Sequence, residues 1–145
     1  MKSVILLVED SDDDAELTRM AFERARIDND MVRVHDGVEA LDYLFRRGAH
    51  TERVRDNEPA VMLLDLNLPR LDGFEVLKAV RADPTHKHLP IVILTSSNAE
   101  RDRLAAYNHH ANSFVQKPVD FDQFIVAARG IGHYWLVLNQ RAPRP

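Results

Sequence analysis

"LLDLNLPRLDG", residues 63–73, begins as a buried strand and ends as a turn. Asp65 stands inside its apolar run, after Val61, Met62, Leu63 and Leu64 and before Leu66 and Leu68. A lone carboxylate in such surroundings costs several kcal/mol unless it is paired, hydrogen-bonded or protonated. The fold must therefore bring a partner to Asp65.

Working outward, Val4–Val8 and Ile91–Leu94 share the short, branched, almost wholly apolar character of Ala60–Leu64. Such runs suit strands covered on both faces. Met31–Val34 and Ser113–Val115 are weaker strand candidates. Between the strands, apolar residues recur at helical spacing: Leu17, Met20, Ala21 and Ala25; Ala40, Leu41, Leu44 and Phe45; Phe74, Leu77 and Val80; Leu104 and Tyr107. Asp12 reads as the residue preceding the first helix, and Pro84 and Pro90 end the third. Five strands alternating with helices predict an α/β fold with a parallel sheet and right-handed crossovers.

The totals set bounds. A chain of 145 residues is expected to form one domain with a substantial core. Lys+Arg 19 against Asp+Glu 23 gives a net charge of −4, with no basic field to draw nucleic acid or anionic lipid. The absence of cysteine removes disulfides, thiolate chemistry and sulfur-ligated metals. No apolar run reaches the length of a membrane helix, and "MKSVILLVED" lacks the features of a signal peptide, so a cytoplasmic location is expected. Residues 47–59 read as a long, polar, mobile loop, and the tail 139–145 as frayed. Histidine pairs 86/88 and 109/110 are poorly spaced to share a helix face and read as surface residues.

In an open α/β sheet, ligands bind at the carboxyl ends of the strands. Here those ends carry Glu9 and Asp10, then Asp65, Thr95 with Ser96, and Lys117 with Pro118. Singly, each has an ordinary role as a cap, a turn or a solvated charge. Jointly they place three carboxylates, a hydroxyl and an ammonium on one edge. If strand three neighbours strand one, each close carboxylate pair repels by about 4 kcal/mol at an effective dielectric of 20. Either a proton is retained or a cation arrives, and an all-oxygen donor set suits Mg²⁺ or Mn²⁺. The chain uses Arg fifteen times and Lys four, yet this strand end carries Lys117, a compact point charge.

With "VED" at 8–10, "LLDLNLPRLDG" at 63–73, "ILTSS" at 93–97 and "FVQKP" at 114–118 in order, the chain resembles the receiver domain of two-component response regulators, the chemotaxis-regulator type. The resemblance implies a doubly wound, flavodoxin-like sheet of order 2-1-3-4-5 with helices on both faces. It would form a single receiver domain over 1–138 with an extended C-terminal helix. Asp65 looks like the phosphoacceptor. Glu9, Asp10, Asp65 and the backbone carbonyl of Asn67 look like the Mg²⁺ site. Thr95 resembles the switch hydroxyl, Lys117 the phosphate-pairing cation, and Phe114 the aromatic switch. Asn67 and Ser97 occupy positions that tune dephosphorylation, and the bond before Pro118 would be cis. The implied activity is a signalling switch phosphorylated by a histidine kinase, not a turnover enzyme. The Asp10-to-Asp65 spacing is long for a receiver, and the 47–59 loop accounts for the excess.

The C-terminal helix carries two apolar faces: Phe121, Phe124, Ile125, Ala128, Gly132, Trp135 and Leu138 on one, Ile131, Tyr134 and Val137 on the other. That exceeds what one sheet can cover. A homodimer through the fourth and fifth helices is expected, with Tyr134, Trp135 and Leu138 at its interface. No output domain is expected after residue 145. The long loop, "VEDSDDDAELT" and the aromatic tail resemble regulators that stand alone and work with bacterial phytochrome histidine kinases. Two alternatives remain. A haloacid-dehalogenase-type phosphatase would want an acid two residues after Asp65, where Asn67 stands. A flavodoxin-like binder would want a phosphate loop where "EDSDDD" stands.

Overall fold

The computed structural model describes residues 3–53 and 58–143. In chain order the elements are β1 (Val4–Val8), α1 (Asp12–Arg24), β2 (Met31–Val34), α2 (Gly37–Phe45), β3 (Pro59–Leu64), α3 (Gly73–Ala82), β4 (Ile91–Thr95), α4 (Glu100–Asn108), β5 (Ser113–Gln116) and α5 (Phe121–Gly132). The five strands form one parallel sheet of order β2-β1-β3-β4-β5. The doubly wound architecture is as the sequence implied.

β1, β3 and β4 are buried at every residue, because helices cover both faces of the sheet. Alternate strand residues divide between two cores. Leu6, Val8, Met62, Leu64, Ile91 and Ile93 pack with α2 and α3, while Ile5, Leu7, Val61, Leu63, Val92 and Leu94 pack with α1 and α5. Each buried Leu or Ile stabilises the fold by roughly 1.5–3 kcal/mol. The outer strands β2 and β5 are half-buried over most of their length, which explains their weaker pattern.

Helix starts are fixed by side-chain caps. Ser11, Asp36, Asp72 and Asp120 accept the backbone N–H groups of Asp14, Glu39, Glu75 and Asp122 respectively. Each cap is worth about 1 kcal/mol. The first of these is Ser11, so Asp12 lies inside α1 rather than ahead of it. Gly73 opens α3 directly against the Asp65 turn: a Cβ there would lie 2.4 Å from the Asp65 carbonyl oxygen. Glycine lets the helix sit on the backbone that carries the central acid. Among the described residues, four that are not glycine adopt positive φ: Arg26, Arg46, Arg70 and His110.

Three expectations are corrected here. The long loop is anchored in its described parts: Gly48–His50 form a 3₁₀ turn, and the Arg53 guanidinium, 6% exposed, donates to the Tyr43 and Leu44 carbonyls and to Glu58. Residues 54–57 of that expectation lie outside the described residues. The two faces do not hold together: Ile131 is buried while Tyr134 and Val137, grouped with it, are exposed, and Leu138 is 57% exposed while Phe124 and Ala128, grouped with it, are buried. From His133 to Leu138 the chain winds as a π-helix, and its wider turn rotates the last residues away from the α-helical stripe. His86, expected at the surface, has a side chain only 10% exposed, held between Asp83 and Glu58. In the tail, Arg141 reaches Ser3 Oγ at 3.1 Å. Among the described residues no helix is long and apolar enough to cross a membrane.

Candidate functional site

The site lies at the carboxyl edge of the sheet, where strand register fixes which side chains meet. Asp65 N–H donates to the Val8 carbonyl at 3.2 Å, setting Asp65 beside the end of β1. Glu9 N–H donates to the Val34 carbonyl at 3.1 Å, and Lys117 N–H to the Thr95 carbonyl at 2.7 Å. With β3 paired to β4 at Leu64 and Ile93, the five strand ends stand side by side.

Lys117 is the hub. Its Nζ donates to Glu9 Oε1 at 2.5 Å, Asp65 Oδ2 at 2.9 Å and Asp14 Oδ2 at 3.0 Å. The side chains of Lys117, Glu9 and Asp65 are 9%, 3% and 8% exposed, so the ion pairs act with little water between them. Burial alone would push the Lys117 ammonium down in pKa. Its hydrogen bonds to Glu9, Asp65 and Asp14 outweigh that and hold it above its ordinary value. Glu9 is raised above its ordinary value by burial, opposed by Lys117 and reinforced by the neighbouring Asp65 charge. These are the partners that Asp65 requires.

The second oxygen of Asp65, Oδ1, accepts the Asn67 backbone N–H at 3.2 Å, and Glu9 Oε2 accepts that of Ser11 at 3.2 Å. Glu9, Asp10 and Asp65 each offer a carboxylate oxygen, and these oxygens lie within 4.8 Å of one another. Asp10 is exposed, giving the cluster an open side. Close-set oxygen donors with one face toward solvent fit a hard divalent cation that keeps some of its water. Arg33 braces the rim from β2, donating to the Glu9 carbonyl at 3.0 Å and to Asp12 Oδ1 at 2.7 Å.

The remaining candidates fall around this centre. Thr95 is fully buried at the end of β4, its Oγ1 accepting the Ser97 N–H at 3.3 Å. Ser97 Oγ donates to Asp102 Oδ2 at 2.7 Å and accepts the Ala99 N–H at 3.3 Å, tying the Thr95 loop to the start of α4. The Asn67 side chain is exposed beside Asp65. Phe114 is half-buried on β5, opposite Ile93 of β4. The expected cis bond before Pro118 is trans, since the chain contains no cis peptide among the described residues. The trans form is favoured at X–Pro bonds, and in it Lys117 reaches all three acids. Of the expected dimer residues, Tyr134 and Leu138 are exposed, but Trp135 packs partly into the core.

Two contributors escaped the sequence reading. Asp14 joins Lys117 because Ser11 caps α1 and turns the third residue beyond it back over the rim. The run "DSDDD" held that signal, but only the cap decides which of its acids points inward. Arg33 lies on an edge strand whose inward reach no periodicity reveals.

The model of the response regulator receiver domain matches residues 5–129. The chain belongs to the response regulator receiver domain family. This receiver is 37% identical to Response regulator Rcp1 of Synechocystis over 133 residues, 92% of this chain and 88% of that one. It is similar to the phosphorylated cyanobacterial phytochrome response regulator RcpA, with a TM-score of 0.89, 35% identity, and 99% and 100% of the two chains covered. It is also similar to the Mn²⁺-bound form of Rcp1, with a TM-score of 0.86, 35% identity, and 97% and 99% covered. Phytochrome response regulators are thus among its two-component receiver relatives, and RcpA shares its fold.

Proposed function

We propose that this receiver is a phosphorylation-driven switch in which Asp65 accepts a phosphoryl group from a histidine kinase, with Mg²⁺ held by Glu9, Asp10, Asp65 and the Asn67 carbonyl. The observation that carries this reading is the convergence of Lys117, Glu9 and Asp65 at one buried rim, with three carboxylate oxygens within 4.8 Å. A lone pair on a carboxylate oxygen of Asp65 forms the new O–P bond as the N–P bond of the phosphohistidine breaks and its electron pair returns to the imidazole. Mg²⁺ held by these residues would supply charge neutralisation for the transferring group. Lys117 keeps its charge throughout and exchanges part of its hold on Asp65 for a phosphoryl oxygen. Thr95 Oγ1, which now accepts from Ser97, has a hydroxyl proton to donate to a second one.

The product adds a charge of about −1.5 to −2. A shift of Thr95 toward it pulls the Ser97 loop and the start of α4, and Phe114 fills the space released. A few charge-assisted hydrogen bonds, about 1.5–3 kcal/mol each, can supply the roughly 5.5 kcal/mol that reverses a 1:99 population. The phytochrome-associated relatives support a bacterial phytochrome as the kinase. A homodimer through α4, α5 and the π-helical extension is supported by exposed Leu104, Tyr107, Tyr134, Val137 and Leu138. The central test is intact mass after acetyl phosphate and Mg²⁺: the protein should gain one phosphoryl group and Asp65→Asn none. Equal labelling of both would remove Asp65 from its role.

A further inference from the structure

At the amino ends of β4 and β5, across the sheet from Asp65, Arg81, Lys87, His88, His110 and Asn112 line a cleft with no carboxylate among its lining. Arg81, in the last turn of α3, spans two neighbouring turns. Its Nε donates to the His110 carbonyl at 2.9 Å, its Nη1 to the carbonyls of Lys87 at 2.9 Å and Leu89 at 2.8 Å, and its Nη2 to Asn112 Oδ1 at 2.8 Å. The same Oδ1 accepts the Ile91 N–H at 2.7 Å, fastening the network to β4. Four of the five guanidinium N–H groups thus meet neutral oxygens, which satisfies hydrogen bonding but not charge.

Other enclosed cations in this protein have an acid. Lys117 has Glu9, Asp14 and Asp65; Arg53 has Glu58; Arg33 has Asp12; His86 has Asp83 and Glu58. Arg81 is half-buried and meets no carboxylate among the described residues. Burial accordingly pushes its pKa down. Asp83, two residues on, is engaged by the His86 imidazole at 2.7 Å.

A cleft of about 370 Å³ opens beside Arg81, lined by Arg81, Lys87, His88, His110 and Asn112. Every lining side chain offers a donor: the fifth guanidinium N–H, the Lys87 ammonium, two imidazoles and the Asn112 amide. A cleft lined by one sign of charge concentrates counter-ions. We propose that it is a binding site for a small phosphate-bearing anion, separate from the Asp65 rim. Two fixed positive charges, Arg81 and Lys87, match a dianion. The cleft is shallow and open to solvent, so an anion held by Arg81 and Lys87 would keep one side in water.

The test follows the imidazole resonances of His88 and His110 in the full chain while inorganic phosphate, pyrophosphate or adenosine diphosphate is titrated. Magnesium is chelated, so the carboxylate rim repels the probe. Both resonances should shift saturably, with a Kd below about 1 mM for at least one of the three anions. Lys87→Ala, a change at an exposed side chain, should weaken binding about tenfold. Inorganic phosphate binding as tightly as the diphosphates identifies the free ion as ligand, and tighter adenosine diphosphate a nucleotide; either supports the site. Shifts that sodium chloride reproduces at equal ionic strength, or that Lys87→Ala leaves unchanged, overturn it.

Discussion

Lys117 determines how the acid rim tolerates its own charge. Without the ammonium, Glu9 and Asp65 would face each other inside a nearly dry edge, and losing one partner of a buried ion pair costs about 3 kcal/mol. Lys117→Met should therefore lower unfolding free energy by about that amount in chelator. Mg²⁺ should restore a larger share in the variant than in the parent, because the cation takes over the neutralising role. Urea denaturation with and without the metal measures both effects, and equal Mg²⁺ responses would count against a shared site. At this scale the sequence was informative. Glu9, Asp10, Asp65, Thr95 and Lys117 could be placed because each ends a strand or lies within two residues of its end, and strand ends in a parallel sheet share an edge. Asp14 could not, since its inward turn depends on the Ser11 cap.

Between elements, the His86 imidazole joins three pieces of chain. Its Nδ1 meets Asp83 at the end of α3 at 2.7 Å, and its Nε2 meets Glu58 at the entry to β3 at 3.2 Å. Glu58 also holds Arg53 and so the long loop. Hydrogen bonding to Glu58, opposed by burial and reinforced by Asp83, raises His86 above its ordinary value of 6.5. Glu58 is lowered from 4.5, burial being outweighed by His86 and Arg53. A raised histidine stabilises fully below 6.5 and loses that contribution as pH climbs through its folded value; a lowered glutamate stabilises above 4.5 and loses it as pH falls through its own. The joint contribution should peak between those limits. Denaturation midpoints from about pH 5.5 to 8.5 should decline on the alkaline side, and His86→Asn should flatten that limb. An unchanged slope would dismiss the clamp. Sequence spacing concealed this histidine, because one partner lies 28 residues away and no helical periodicity joins them. The three central strands were legible from apolar runs alone. The π-helical end was not, because a widened turn leaves no mark in a pattern of 3.6.

For the molecule as a whole, exposed apolar side chains on α4 and beyond α5 bear on assembly. Leu104 is 63% exposed, Val137 68% and Leu138 57%. If a second copy covers them, light scattering at tens of micromolar should report a dimer, and Val137→Glu with Leu138→Glu should give a monomer. Each exposed change should alter stability by no more than about 0.5 kcal/mol, so dissociation would not reflect unfolding. A monomeric parent, with or without a phosphoryl analogue, would end the idea. The left-handed arginines bear on a different matter. Glycine adopts that backbone freely and arginine does not, so Arg26, exposed just past the end of α1 opposite the one that carries Asp14, holds tension that the mechanism never uses. An engineer wanting a hardier scaffold would begin there, with headroom still unspent.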